Sequence, residues 1–137
     1  MFVEVTDFKT LSWNCSGWTF ILLETAYVKI LGFKLEYERQ NFAFLSFQGS
    51  QLMIEKGGEW KTGELEHPFG RGINFQIEVD DVDAVLKRLK KNKYPIKVPV
   101  KENWYRKGKV FLGNREFLVM DPDGYLLRFA EDLGQRK

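Results

Sequence analysis

Alternation of apolar and polar positions is clearest in the second half of the chain. Ile73 to Val79 alternate strictly, which predicts a strand with one face buried. Asp80 and Asp81 follow as candidate N-cap residues, and apolar residues then recur at helical spacing from Val82 to Asn92. The lysines and arginines of that segment fall between the apolar positions, as on a solvated helix face. The pattern therefore predicts a strand followed directly by an amphipathic helix.

Three further strands are predicted after this helix. Ile96 to Val100 alternate again, and Lys101 to Asn114 are polar and aromatic and are predicted to form a long loop. Glu116 to Met120 and Tyr125 to Ala130 are predicted strands, joined by the turn sequence Asp121-Pro122-Asp123-Gly124. The predicted order of the second half is therefore strand, helix and three strands.

The first half of the chain repeats this order. Phe2 to Thr6 are predicted to form a strand, and Asp7 stands at the position of a helix cap. Three more strands are predicted at residues 35–37, 42–47 and 51–55. The two halves thus have the same predicted arrangement of elements.

Equivalent positions in the two halves have a nearly constant separation in sequence. Val5 lies about 74 residues before Val79, and Gly49 lies about 75 residues before Gly124. This repeat predicts an α+β fold in which two tandem βαβββ units form a curved mixed sheet within a single domain. The predicted units are residues 1–66 and 73–137, with a linker at 67–72 and an insertion near residues 12–26, after which a helix runs to Leu31.

Composition excludes several classes of protein. Hydrophobic residues make up 44% of the 137 residues and charged residues 29%, so the chain can bury a core. No apolar run could span a membrane, and the acidic Glu4 and Asp7 are unlike a signal peptide, so we expect a cytoplasmic protein. A net charge of +2 does not favour nucleic acid as a partner, and Cys15 alone excludes an internal disulfide. Aromatic residues reach 15%, which indicates a bulky core or a site for a flat ligand.

Three motifs, in order and at suitable spacing, resemble the vicinal oxygen chelate superfamily. They are Ile-Leu-Gly-Phe at residues 30–33, Phe-Gln-Ile-Glu-Val-Asp-Asp-Val at 75–82, and Asp-Pro-Asp-Gly-Tyr at 121–125. The superfamily includes glyoxalase I, extradiol dioxygenases, fosfomycin-resistance enzymes and bleomycin-resistance proteins, and the resemblance implies the glyoxalase/bleomycin-resistance fold. Residues 114–117, Asn-Arg-Glu-Phe, followed by the Asp-Pro-Asp-Gly turn, look most like the bleomycin-resistance branch.

The resemblance implies where a metal would be held. Enzymes of the superfamily bind a divalent metal through one side chain, typically His or Glu, from each outer strand of the two units. In the second unit these positions fall on Asn74 and Arg128. In the first unit the Glu position falls on Met53, with Glu55 as an alternative, and the His position lies at or before Met1. A guanidinium at a ligand position opposes a divalent cation, so we expect neither a metal nor another cofactor.

The resemblance also implies a ligand. Proteins of the bleomycin-resistance branch stack a flat, cationic, heteroaromatic compound in a cleft between two subunits. Two stacking positions of the branch have counterparts here, and the long predicted loop offers further rings. Each of these side chains has an alternative role in the core. The candidate ligand-binding residues are Phe42, Trp60, Trp104, Tyr105, Phe111 and Leu112.

We therefore expect a metal-free protein that sequesters a flat, cationic aromatic compound in the cleft of a homodimer. Two alternatives stay open. One is a metal-dependent lyase, isomerase or dioxygenase with displaced ligands such as Glu55, Glu78 or His67, and the other is a structural or regulatory dimer without a small ligand. An acidic rim would attract a cation, and the glutamates considered for it are Glu55, Glu59, Glu64, Glu66 and Glu102.

Overall fold

The structure is a computed structural model that describes the backbone of residues 2–6, residue 23, and residues 25–55 and 63–137. The helices with described bounds are a π-helix, Thr25–Leu31, and an α-helix, α1, Val82–Lys91. Among the described residues, no helix has the length and hydropathy needed to cross a membrane. The strands are β1 (Phe2–Thr6), β2 (Lys34–Arg39), β3 (Phe42–Phe47), β4 (Ser50–Glu55), β5 (Asn74–Glu78), β6 (Val98–Lys107), β7 (Val110–Met120) and β8 (Leu126–Arg136).

Two four-stranded mixed sheets have the same topology. The first sheet has the order β1-β4-β3-β2 and the second the order β5-β8-β7-β6. In each sheet the first strand of the unit pairs in parallel with the last, and the other pairs are antiparallel. The predicted α+β fold of two βαβββ units is confirmed, and its mixed sheet is divided into two halves.

Both units contribute to one hydrophobic core. Alternate residues of the strands, such as Leu45 on β3 and Phe117 on β7, are fully buried in the same cluster as the apolar face of α1. The rings of Phe47 and Phe129 meet edge to face with centroids 6.1 Å apart, which joins the first sheet to the second. Both sheets therefore turn one face to this core.

Helix α1 begins and ends where its sequence predicts. Asp81 is the N-cap, with an extended backbone, and its side chain accepts hydrogen bonds from the amides of Asp83 and Ala84 at 2.8 and 3.2 Å. Glu131 of β8 accepts a further bond at 3.0 Å from the amide of Val82. Basic residues lie in the last turn, where they complement the helix dipole.

The turn before β8 packs tightly against the predicted linker. Gly124 has a φ of +89°, and a Cβ atom placed on it would lie 2.3 Å from Cβ of Pro68. A Cβ on Gly70 would lie 2.7 Å from Cα of Tyr125. Glycine is therefore required at both positions by close approach of the two segments, and at Gly124 also by backbone conformation.

One element of the second half differs from its prediction. Lys101 to Asn114 form most of a long β-hairpin, β6 and β7, whose turn contains Gly108 with a φ of +62°. Most side chains of β6 are exposed, so this strand lacks the buried face that produces strict alternation. The strands predicted at 96–100 and 116–120 are the inner ends of this longer hairpin, and Trp104 and Tyr105 lie on a strand rather than a loop.

Predictions for the first half are confirmed over the described residues. The strands expected at 2–6, 35–37, 42–47 and 51–55 correspond to β1 to β4. The expected helix ending at Leu31 is a π-helix over its described part. The Asp7 cap, most of the insertion near residues 12–26, and Trp60 lie outside the described residues.

Candidate functional site

The second sheet has one face against the core and α1 and one face turned away from them, which we call the open face. Strand register identifies its members, because residues two apart on a strand share a face and paired residues lie side by side. Phe117 pairs with Phe129 on the core side, so their neighbours in sequence point to the open face. The polar members of the open face include Asn74, Gln76 and Glu78 of β5, Lys101, Asn103 and Lys107 of β6, Asn114 and Glu116 of β7, and Arg128, Asp132 and Gln135 of β8.

A half-buried polar network occupies the middle of the open face. The side chain of Glu116 is only 11% exposed, and its carboxylate accepts hydrogen bonds from Nδ2 of Asn114 at 3.1 Å and Nδ2 of Asn103 at 3.3 Å. Nη1 of Arg128 lies 3.7 Å from Oε2 of the same carboxylate. Two amides and one guanidinium thus compensate the burial of a single negative charge.

Two polar atoms of this network have no partner among the described residues. They are Nε of Arg128 and Oδ1 of Asn114, both buried. Buried polar atoms in proteins are nearly always hydrogen-bonded. Both atoms are shielded from solvent, and the network thus leaves one donor and one acceptor unsatisfied among the described residues.

A pocket of about 350 Å³ lies beside this network. Asn114 belongs to both, Gln76 lines the pocket beside Arg128 in register, and Ala130 contributes a small apolar surface. Gln48, from the turn between β3 and β4, completes the wall, since its Oε1 accepts a hydrogen bond from the amide of Asp80 at 2.7 Å. We call this space the acidic pocket, because its walls include Glu78, Asp80, Glu131 and Asp132.

Comparison with known proteins identifies the fold family. The model of the Glyoxalase/Bleomycin resistance protein/Dioxygenase superfamily matches residues 25–129, most of the chain. The chain belongs to this superfamily. The membership expected from the three motifs is confirmed, and the bleomycin-resistance branch stays a prediction.

Solved structures similar to this chain cover nearly all of it. A glyoxalase/bleomycin resistance protein/dioxygenase from Alicyclobacillus acidocaldarius is 20% identical, with 97% of this chain and 90% of that chain covered and a TM-score of 0.65. TioX from Micromonospora sp. ML1 is 25% identical, with 97% and 98% covered and a TM-score of 0.60. A lactoylglutathione lyase from Agrobacterium tumefaciens is 15% identical, with 96% and 91% covered and a TM-score of 0.59. The comparison with curated proteins gave no match.

The residues that the resemblance assigns to the superfamily's metal positions do not fit a divalent metal. Arg128 lies on the open face of the second sheet, and its neighbour in register is Gln76, whereas Asn74 lies beside Leu126. Met53 is a half-buried residue of β4 in the first sheet. A guanidinium, an amide and a thioether do not form the ligand set of a hard or borderline divalent ion. Within the described ranges, no three His, Cys, Asp or Glu side chains come together as a metal site.

The displaced ligands considered from the sequence are not brought together. His67 lies near the start of β8, with Nε2 3.4 Å from the carbonyl oxygen of Pro122 and its ring edge-on to Phe69. Glu78 pairs with Ala130 of β8. Ala130 follows Pro122 by eight residues, so Glu78 lies further along the sheet than His67. Glu55 belongs to β4 of the first sheet. His67 and Glu78 thus lie towards opposite ends of the second sheet, and the described residues contain no group of three His, Cys, Asp or Glu side chains that includes them.

Phe42 has its ring covered by neighbours of its own sheet. Its side chain is only 5% exposed, the ring of Tyr37 stacks on it at 5.7 Å, and the guanidinium of Arg39 lies 4.4 Å from its centroid. A cation and an aromatic ring already occupy the surfaces on which a ligand would stack. Phe42 is thus placed as a packed residue of the first sheet.

Trp104 lies on the face of the second sheet opposite to the open face. Register pairs it with Gly113, and a Cβ on that glycine would lie 2.6 Å from the indole ring. Its Nε1 donates to Glu102 at 2.7 Å, and the guanidinium of Arg136 lies 4.0 Å from the ring centroid. The indole ring is therefore held between backbone and a cation of its own chain.

The other candidates are divided between the two faces of the β6–β7 hairpin. Tyr105 and Leu112 pair directly across the hairpin on its open face, where Tyr105 is 55% exposed. Phe111 pairs with Arg106 on the opposite face, the same face as Trp104. Of the ligand-binding residues predicted from the sequence, Tyr105 and Leu112 alone among the described ones are exposed on the open face.

The acidic residues around the pocket are not those considered from the sequence. Glu55 lies in the first sheet, Glu102 lies on the face of the hairpin that carries Trp104, and Glu59 lies outside the described residues. Asp132 lies beyond the predicted end of the last strand, and Glu131 is its neighbour. Beyond Ala130 the sequence of β8 has Leu133 as its one apolar side chain, so no alternation indicated that the strand continues through them.

Proposed function

We propose that this protein binds a small, flat, cationic compound in the acidic pocket, without a metal and without making or breaking a covalent bond. The observation that supports this most strongly is the lining of the pocket, in which four acidic residues and three residues with side-chain amides surround the small Ala130. The carboxylate of one of the four, Glu131, also accepts a hydrogen bond from the amide of Val82. Carboxylates concentrated in a partly shielded groove raise the local concentration of cations and hold them. The small side chain of Ala130 leaves room for a flat compound between the neighbouring strands.

The guanidinium at a superfamily metal position supports a binding role rather than metal-assisted catalysis. The charges of Arg128 and Glu116 compensate each other at the position where a catalytic member of the superfamily would present ligands to a metal ion. The side chain of arginine keeps its positive charge at any ordinary pH. The site therefore recognises charge on an organic compound through fixed side chains.

A homodimer would enclose this site. The open face of the second sheet is bordered by the edge strand β6, and the first sheet ends in the edge strand β2, which carries the exposed Tyr37. A second copy of the chain would cover the two edge strands β2 and β6 and the open face of the second sheet. We expect a sedimenting mass of twice the chain in analytical ultracentrifugation at micromolar concentration, and a monomer at all concentrations would contradict the cleft between subunits.

Titration with a planar cation tests the binding role. We expect proflavine to bind saturably to the purified protein in a calorimetric titration, and the double variant Glu78→Gln/Asp132→Asn to bind about tenfold more weakly because two attractive charges are lost. Both substitutions keep the shape of the side chain.

The matched control is Glu38→Gln, because Glu38 is an exposed acid on β2 of the first sheet, away from the pocket. This variant should bind proflavine as the original protein does. No saturable binding of proflavine, or equal weakening by the control, would contradict the proposal.

A further inference from the structure

The side chain of Arg128 is placed for a second recognition task at the end of the acidic pocket. It is 32% exposed, and Gln76, its neighbour in register, is part of the pocket wall. Glu116 links it to Asn114, another wall residue. The guanidinium therefore lies at the boundary of the pocket rather than apart from it.

The hydrogen-bonding capacity of this guanidinium is unused within the described residues. Its contact with Glu116 at 3.7 Å is an ion pair beyond hydrogen-bond distance, and its Nε has no acceptor. Arginine presents five N–H donors in a fixed planar arrangement that matches the two oxygens of a carboxylate. A carboxylate on a bound compound would use donors that the protein does not.

The opposite chemistry lies a short way along the same face. Glu78 pairs with Ala130, two residues beyond Arg128, so its Cα lies about 7 Å further along the strands. Asn114, a residue of the pocket wall, also carries a buried acceptor, Oδ1, without a partner among the described residues. One end of the groove thus offers donors with positive charge, and the other offers acceptors with negative charge.

We propose that the compound is zwitterionic, with a carboxylate held by Arg128 and a cationic amine held in the acidic pocket. This inference rests on the proposed function and adds the second charged group to it. Glu116 acts as a positioning residue, since two amides fix its carboxylate and it fixes the guanidinium. Because Glu116 offsets part of the charge of Arg128, an anion without an attached amine binds weakly.

Three benzene derivatives of similar size measure the contribution of each charge to binding separately. They are 4-(aminomethyl)benzoate, which carries an amine and a carboxylate across one ring, benzylamine, which carries the amine alone, and 4-methylbenzoate, which carries the carboxylate alone. Titrations followed by amide shifts in two-dimensional NMR spectra measure weak affinities. We expect the zwitterion to bind about tenfold more tightly than benzylamine, as one charge-assisted contact provides, and 4-methylbenzoate to bind most weakly.

The variant Arg128→Gln should remove this preference. The zwitterion should then bind no more tightly than benzylamine, and benzylamine should bind as before or slightly better, since a positive charge has been removed. The control is Arg115→Gln, because Arg115 lies on the opposite face and contacts Asp83 of α1 at 2.6 and 2.8 Å. Arg128→Lys, which keeps the charge but not the planar donors, should retain part of the preference and serves if the glutamine variant does not fold.

The outcomes separate this inference from the proposed function. A zwitterion that binds no better than benzylamine, or a preference that survives Arg128→Gln, overturns the role of Arg128 while binding of benzylamine and proflavine leaves the proposed function standing. No binding by any of the four compounds overturns both. Loss of the preference for the zwitterion in Arg115→Gln as well as in Arg128→Gln also overturns the role of Arg128, because the preference would then not depend on a residue of the open face.

Discussion

Asp121 holds a buried carboxyl group between the two units. Its Oδ2 accepts a hydrogen bond from the hydroxyl of Tyr27 at 2.8 Å, and its Oδ1 accepts from the amides of Asp123 and Tyr125 at 3.0 and 2.8 Å. Burial raises the pKa of Asp121 above 3.8 and outweighs these hydrogen bonds, which lower it. One residue thus ties the π-helix of the first unit to the turn of the second.

The raised pKa of Asp121 makes its contribution to stability depend on pH. Because the folded protein binds this proton more tightly than the unfolded chain, the free energy of unfolding falls as pH rises from 3.8 through the raised pKa. Asp121→Asn removes the titration and keeps an oxygen for the two amides. We expect the original protein to lose stability relative to this variant as pH rises through that range, measured by urea unfolding at a series of pH values. A constant difference between the two proteins would show that Asp121 does not titrate in this way.

Gly49 and Gly124 lie in equivalent turns of the repeat, and replacing each by alanine distinguishes the cost of backbone strain from the cost of steric clash. Gly49, between β3 and β4, has a φ of +85°, and a Cβ placed on it would meet no described atom within 4 Å, whereas Gly124 has a similar φ and lies against Pro68. Gly49→Ala should cost about 1 kcal/mol of unfolding free energy, from the left-handed backbone alone. Gly124→Ala should cost about 1–3 kcal/mol more, because Pro68 must also move. Equal losses in chemical denaturation would contradict the tight packing of linker and turn.

Elements with one buried face could be predicted from the sequence, and those without one could not. β4 and β5 combine buried and exposed positions, β3 is buried or half-buried throughout, and all three were predicted nearly to the residue. The outer parts of β6 and β7 are mostly exposed on both faces, so they carry no alternation, and their pairing with each other and with β8 forms them instead. The π-helix was predicted as a helix, but its type depends on packing.

At the scale of the whole molecule, the candidate site could be predicted in part. Arg128 was found on the open face because its position is fixed by counting from a recognisable turn, Asp121 to Gly124, along a regular strand. The acidic pocket could not be found in this way, since Gln48 from the first unit meets Asp80 from the second only when the units pack together. The aromatic residues predicted as ligand-binding stay a prediction. Trp104 and Tyr105 were expected in a loop, whereas they are neighbours on a strand and therefore point to opposite faces.

Mapping a bound planar cation onto the backbone tests the account most directly. We expect the amide shifts on addition of proflavine, in two-dimensional NMR spectra of the labelled protein, to be largest at Gln76, Glu78, Asn114 and Asp132, which surround the acidic pocket. Smaller shifts should extend to Arg128. Shifts concentrated instead at Tyr37 and Phe42 of the first sheet, or an absence of saturable shifts anywhere, would contradict a cation-binding pocket on the open face of the second sheet.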